Sequence, residues 1–510
     1  MKRPKVLAAA LTAVLLLVGC GQGTHTDREP PPGVGSDPEP AQDPVAEGFR
    51  EPPPGSGTGR YLDQDVQWTP CEEQECADIA VPLDWEDPDA QAITISMLRV
   101  PADGESKGTI FVNPGGPGGS GKGLAAYFSR EGLTDYDIVG WDPRGVDDST
   151  AVQCGSTEQM DEFLSVDNSP DDPAEVEALD QAARDYGERC ADLSGDLLEH
   201  VSTTDTVADL DLLRQLVGDD KLNFLGYSYG TEIGAVYADL HPDKVGRLVL
   251  DSAVDISPGR QLGREIPQAE GFSRVLTDFA AWCVAQECAL GDTPDEVTGT
   301  VAELLTRLDA EPLAVGDRQL TQSLAVNGVM HPMYMNESAW RVLAEAVDRA
   351  DRGDGSWLLQ LADDYNSRGD NGYSSLMNSF NAIRCTSEPQ PELEETYQDA
   401  EEVAETVGVL GPFMGVDNVC ALWPVEVTKP NPDHMTAAGA DPIMVIGSRG
   451  DSATPFEYSE HMADQLESGF LVTWEGIGHG TYGGTSRCVD QAVVDYFHDD
   501  LEATDLTCRE

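Results

Sequence analysis

The chain has 510 residues, 40% of them hydrophobic, with 93 acidic side chains against 31 lysines and arginines and a formal net charge of -62. That length exceeds one ordinary domain and calls for a large insertion or a second domain. A surface this acidic excludes nucleic acid as a partner and adsorption to anionic lipid through a basic patch, both of which need clustered Lys and Arg. It reads as a solvated, salt-tolerant surface, with attraction of cationic or free-amine substrates as the alternative.

At the start, Lys2, Arg3 and Lys5 precede an apolar stretch, Val6 to Val18, that is short for a bilayer span and ends in Leu17-Val18-Gly19-Cys20. This run resembles the bacterial lipobox. The resemblance implies a signal peptide over 1–19, a lipid on Cys20, and a protein outside the cytoplasm, anchored to the outer face of the cell membrane or released. Residues 20–58 carry Glu29-Pro30-Pro31-Pro32-Gly33 and its near copy Glu51-Pro52-Pro53-Pro54-Gly55, which cannot build a core and read as a disordered tether. Eleven cysteines less Cys20 leave an even number for an oxidising compartment. Cys71/Cys76 and Cys283/Cys288 are close enough to close small loops, and Cys154/Cys190, Cys385/Cys420 and Cys488/Cys508 would each staple a local unit. Sequence leaves the connectivity open, but five disulfides are expected.

From residue 59 short apolar runs alternate with amphipathic stretches. Strands are expected at 93–98, 109–112, 136–140, 222–225 and 247–250, with a helix over 205–217 whose Val207, Leu210, Leu213 and Leu216 share a face. Such alternation implies an α/β fold with a mainly parallel, doubly wound sheet. The pattern becomes helical over 256–435 and returns to strands at 442–446 and 470–474. The expected organisation is a sheet domain of 59–255 and 436–510 interrupted by a helical cap.

Gly226-Tyr227-Ser228-Tyr229-Gly230 follows a strand and opens a helix, the setting in which a G-x-S-x-G serine acts as a nucleophile. Its hydroxyl needs a base, and the base needs an acid to hold it. Asp451 follows the strand at 442–446, and His479 lies in Gly476-Ile477-Gly478-His479-Gly480 after the last strand. Asp251, at the end of an earlier strand, is the rival acid, and His200 the least implausible substitute base. Asn113-Pro114-Gly115-Gly116-Pro117-Gly118-Gly119 leaves a strand with its backbone N–H groups exposed, so the N–H groups of Gly116 and Tyr229 are assigned to an oxyanion hole. A phosphate cradle is disfavoured because Lys122 is not followed by Ser or Thr.

Together with Trp141-Asp142-Pro143-Arg144-Gly145 and Asp451-Ser452-Ala453-Thr454-Pro455, these motifs resemble the α/β-hydrolase family of proline iminopeptidases and tripeptidyl aminopeptidases, the secreted actinobacterial serine exopeptidases. The resemblance covers nearly everything from residue 60 onward. It implies release of amino acids or short peptides from free N-termini, through a Ser228–His479–Asp451 triad and a cap that reads the substrate. Proline iminopeptidases carry His where Pro114 stands, which points toward the tripeptidyl branch. An exopeptidase must hold an ammonium group, and Glu232 and Glu388 are the candidate carboxylates. No metal or organic cofactor is expected. The alternatives are a carboxylesterase or lipase with the same triad and a non-catalytic solute-binding lipoprotein.

Overall fold

Ten strands form one sheet in the computed structural model, which describes residues 48–257 and 266–509. In chain order they are β1 (Thr69–Cys71), β2 (Gln74–Pro82), β3 (Ala92–Val100), β4 (Thr109–Asn113), β5 (Asp137–Trp141), β6 (Leu222–Tyr227), β7 (Val245–Asp251), β8 (Ile443–Gly450), β9 (Gly469–Ile477) and β10 (Leu506–Cys508). Their spatial order is β1-β2-β3-β5-β4-β6-β7-β8-β9-β10. From β5 through to β10 every pairing is parallel, while β1, β2 and β3 join antiparallel at one edge. This is the α/β-hydrolase architecture.

The continuous apolar runs arise because both faces of the sheet are covered. Successive residues alternate between two cores: Phe111, Leu248, Leu250 and Val445 enter one. Ile110, Val112, Val249, Met444 and Ile446 enter the other. Strands β1, β2 and β10 were not anticipated. β1 and β10 are three-residue edge elements, and β2 opens on the half-polar Gln74-Glu75-Cys76.

Between β7 and β8 the chain is helical, with helices Ile266–Ala285, Pro294–Ala310, Gln322–Met330, Trp340–Asp351, Ser356–Tyr365, Leu376–Ser387 and Leu393–Thr406 and two small hairpins. It holds a core of its own around Phe279, Trp340 and Leu343, where Trp282 and Phe279 pack on the Trp340 ring. None of the helices among the described residues is long and apolar enough to cross a membrane.

The lipobox, Cys20 and most of the Pro/Gly-rich stretch lie outside the described residues. Residues 48–58, read from the sequence as the end of the tether, are instead docked on the domain. Arg50 exchanges backbone hydrogen bonds with Ala92 at the start of β3, and the Gly57 N–H donates to Asp89. The described cysteines form five disulfides: Cys71–Cys76, Cys154–Cys190, Cys283–Cys288, Cys385–Cys420 and Cys488–Cys508.

Candidate active site

Four neighbouring parallel strands point their carboxyl ends to one side of the sheet, β6 and β7 stopping together and β8 and β9 running on past them. Tyr227 of β6 pairs with Asp251 of β7, which pairs with Ile446 of β8, and Gly450 pairs with Ile477 of β9. The residues that follow these ends are Ser228, Ser252, Asp451 and Gly478-His479. Parallel sheets gather chemistry at their carboxyl ends for this reason.

Ser228 sits at a sharp turn with φ 54° and ψ -126°, a conformation in which side chains are rarely held, and caps the helix Tyr229–Leu240. The flanking glycines make the turn possible. A Cβ on Gly226 would collide with the Gly230 carbonyl, and one on Gly230 would lie 2.9 Å from the Asn113 carbonyl oxygen. The Ser228 N–H donates to the Asp251 carbonyl at 3.0 Å, and the Thr231 hydroxyl donates to the Ser228 carbonyl at 2.6 Å.

Asp451 is buried with its carboxylate against the His479 ring: both oxygens lie 3.0 Å from Nδ1. The N–H groups of Ala453 and Thr454 also donate to this carboxylate, at 3.0 and 2.9 Å, so the acid is oriented before the imidazole is counted. Burial works to lower the His479 pKa. The Asp451 charge and hydrogen bond, with the Asp251 charge behind them, outweigh it and hold the ring above its ordinary value. The rival acid is placed differently. Asp251 turns its Oδ2 to the N–H groups of Thr481 and Tyr482, at 2.9 and 2.8 Å.

The Gly-rich loop after β4 lies against the serine turn. A Cβ on Gly115 would collide with the Tyr227 carbonyl and would lie 2.9 Å from the Tyr229 amide nitrogen. This brings the Gly115-Gly116 backbone, with φ of 89° and 110°, beside Tyr229 N. Asp142 anchors the far end of the loop. It accepts from the Ser120 hydroxyl at 2.6 Å, and burial lifts its pKa to about 6.

The two candidate ammonium ligands share neighbours, Asn431 and Thr203–Ser387, but it is Glu388 that lines a cavity. Glu232 is buried one turn into the serine helix and accepts from Asn431 at 2.5 Å. Thr203 Oγ1 lies 3.2 Å from that carboxylate, 2.8 Å from the Tyr229 hydroxyl and 3.0 Å from Ser387 Oγ. Glu388 comes next in the chain, and with Ser387, Glu392, Glu395, Asn431 and Asp433 it lines a cavity of about 260 Å³. His200 is remote in role: its carbonyl accepts from Arg144.

Three contributors escaped the sequence reading. The Thr454 hydroxyl lies 3.1 Å from Asp451 Oδ2 and 3.2 Å from His479 Nδ1, and donates to the Ser252 carbonyl. Thr454 stood inside a quoted motif, three residues after the acid, so a local signal existed. Ser252 accepts the Gly480 N–H at 2.8 Å. Tyr334, from the helical insertion, accepts the His479 N–H on its carbonyl and sets its ring edge-on to the imidazole at 5.4 Å. Nothing in its local sequence signals that contact across 145 residues of chain.

Residues 408–508 match the family described as TAP-like protein. The chain is 32% identical over 472 residues to Serine protease Hip1 of Mycobacterium tuberculosis (strain ATCC 25618 / H37Rv), covering 85% of this chain and 89% of that one. It is 31% identical over 470 residues to the Tripeptidyl aminopeptidase of Streptomyces lividans, covering 88% and 86%. Carboxylesterase B of the same mycobacterial strain is 33% identical over 537 residues, covering 100% of this chain and 99% of its own.

Proposed function

The chain belongs to the TAP-like family of α/β-hydrolase serine hydrolases, which includes tripeptidyl aminopeptidases, and from that premise we propose that it is an extracytoplasmic serine exopeptidase. It releases amino acids or short peptides, tripeptides among them, from free N-termini. The observation that carries the reading is the Asp451 carboxylate 3.0 Å from His479 Nδ1, on loops that leave the same end of the parallel sheet as the turn bearing Ser228.

In this mechanism Asp451 fixes the tautomer with the proton on Nδ1, leaving Nε2 as the base. His479 takes the Ser228 proton as Oγ attacks the scissile carbonyl. The tetrahedral oxyanion is held by the N–H groups of Gly116 and Tyr229. When the intermediate collapses, the C–N bond breaks and His479 gives its proton to the leaving amine. Water, deprotonated by the same ring, then hydrolyses the serine ester. Glu388, on the acidic cavity wall, or Glu232, joined to that wall through Asn431, holds the substrate ammonium and so measures chain from its free end.

Lipid attachment at Cys20 is part of the proposal. The basic start, the short apolar run and the terminal cysteine support it, as do five disulfides, which suit an oxidising compartment. Metabolic labelling with a palmitate analogue should mark the protein and fail on Cys20→Ser.

Ser228→Ala should abolish turnover of tripeptidyl anilides and fluorophosphonate labelling while leaving circular dichroism and melting unchanged; wild-type turnover would end the proposal. A carboxylesterase is the second reading, favoured by the end-to-end match to Carboxylesterase B. Acetylating the substrate N-terminus separates the two. An exopeptidase loses peptide turnover, whereas an esterase hydrolyses short acyl esters far better than either peptide.

A further inference from the structure

The mechanism leaves one buried acid unused. Asp251 closes β7 and is fully buried. With its neighbour Ser252 it touches the serine turn, the acid loop and the histidine loop. The Asp251 carbonyl accepts the Ser228 N–H at 3.0 Å. Its Oδ2 accepts the N–H groups of Thr481 and Tyr482, at 2.9 and 2.8 Å, two and three residues past the histidine. The Ser252 hydroxyl accepts the Gly480 N–H at 2.8 Å, and the Ser252 carbonyl accepts from Thr454, which touches both Asp451 and the imidazole. Three consecutive N–H groups of the histidine loop are therefore held by two adjacent side chains.

That loop needs holding. Gly478, Gly480, Gly483 and Gly484 all have positive φ, so the stretch around His479 has few intrinsic restraints. Ser252 itself stands at φ 57°, a conformation that non-glycine residues seldom adopt. The strained backbone turns its hydroxyl toward Gly480 N and its carbonyl toward Thr454.

We propose that Asp251 and Ser252 are the positioning residues of this site: one strand end that sets the serine turn, the acid loop and the histidine loop in register, with the Asp251 carboxylate also acting as a second, through-space counter-charge to His479. Asp451 orients the ring by hydrogen bonds; Asp251 fixes the backbone that carries the ring. The titratable groups facing Asp251 are His479 and Asp451 from the neighbouring loops and Tyr227 from β6. Burial raises the Asp251 pKa to about 6, and the adjacent negative charge of Asp451 adds to the rise.

The inference rests on the Ser228–His479 reading, so the assay uses p-nitrophenyl acetate, which needs no ammonium recognition, and the full-length protein. Asn at 251 keeps an acceptor for the two N–H groups and removes only the charge. Asp251→Asn should lower plateau kcat about tenfold with KM little changed, and should move the acid limb of the kcat/KM profile to lower pH by about half a unit or more, because the imidazolium loses a counter-charge. Ser252→Ala removes an acceptor and no charge. It should lower kcat severalfold and leave the acid limb where it is.

Fluorophosphonate stoichiometry reports the folded, competent fraction of each variant. Wild-type kcat and an unmoved limb in Asp251→Asn would overturn the proposal. If that variant does not fold, wild-type kinetics in Ser252→Ala would overturn it, and a lowered kcat with full labelling would support it. Absence of labelling in the wild-type protein would instead remove the triad reading on which all of this stands.

Discussion

Buried charge is handled in opposite ways at two places in this molecule. At Arg144 and Asp209, both fully buried, every donor is matched. The five N–H bonds of the guanidinium go to the two Asp209 oxygens and to the carbonyls of Pro82, Leu83 and His200, and Trp85 donates to the same carboxylate. At the carboxyl ends of β7, β8 and β9, one buried carboxylate, Asp451, meets the imidazole and a second, Asp251, holds the backbone just past it. The first arrangement has one positive and one negative charge and complete hydrogen bonding. The second has an excess of negative charge satisfied mainly by backbone N–H groups. Matched charge holds a fold together, and mismatched charge keeps a proton ready to move.

The comparison breaks most sharply at Asp451. Replacing it with Asn leaves the shape but offers the ring the wrong hydrogen-bond partner, so kcat should fall by about 10⁴-fold with the melting temperature nearly unchanged. A stopped assay on a tripeptidyl anilide, with calorimetry alongside, checks both halves. Asp209→Ala should do the reverse. It strands a buried guanidinium, which costs about 3–5 kcal/mol of stability, while the surviving folded fraction retains its turnover per labelled serine. Loss of intrinsic turnover in folded Asp209→Ala would mean that the two charge clusters are not independent.

That division also explains what could be read from sequence. The apolar runs of β3 to β9 stood out because both faces are buried, and Ser228, Asp451 and His479 stood out because each follows such a run in a Gly- or Asp-marked loop. Trp141-Asp142-Pro143-Arg144-Gly145 was legible as a motif but not in its work. Arg144 is an internal clip and Asp142 a loop anchor, and only the fold shows that their partners come from Asp209 and Ser120. The helical insertion was legible as helices and little more. Helical periodicity reports which face is buried, not that the carbonyl of Tyr334 meets the N–H of His479 or that Asn431 meets Glu232. Asp251 was read as a competitor for the role of acid, because sequence places it at a strand end without showing which way the carboxylate turns.

The acidic cavity sharpens the comparison further, since under the proposed function its carboxylates bind substrate and move no proton. Glu388→Gln removes a charge from the wall lined by Glu392, Glu395 and Asp433. It should raise KM for a free-amine tripeptide anilide by about tenfold, the value of one charge-assisted hydrogen bond, and leave p-nitrophenyl acetate turnover unaltered. A parallel loss on both substrates would place Glu388 in the framework of the site instead.

The smallest effect expected is in the pH profile of the unmodified enzyme, and its sign follows from the same excess of carboxylate. The base works only as neutral imidazole, so activity is lost as pH falls through the His479 pKa. Burial alone would lower that pKa and extend activity toward acid. The Asp451 and Asp251 charges override burial and raise it. The acid limb of kcat/KM should therefore lie above about 6.5, the value of an unperturbed histidine. Salt should hardly move it, because the charges responsible are buried and poorly screened. A limb below that value would mean that desolvation, not the paired carboxylates, governs the imidazole.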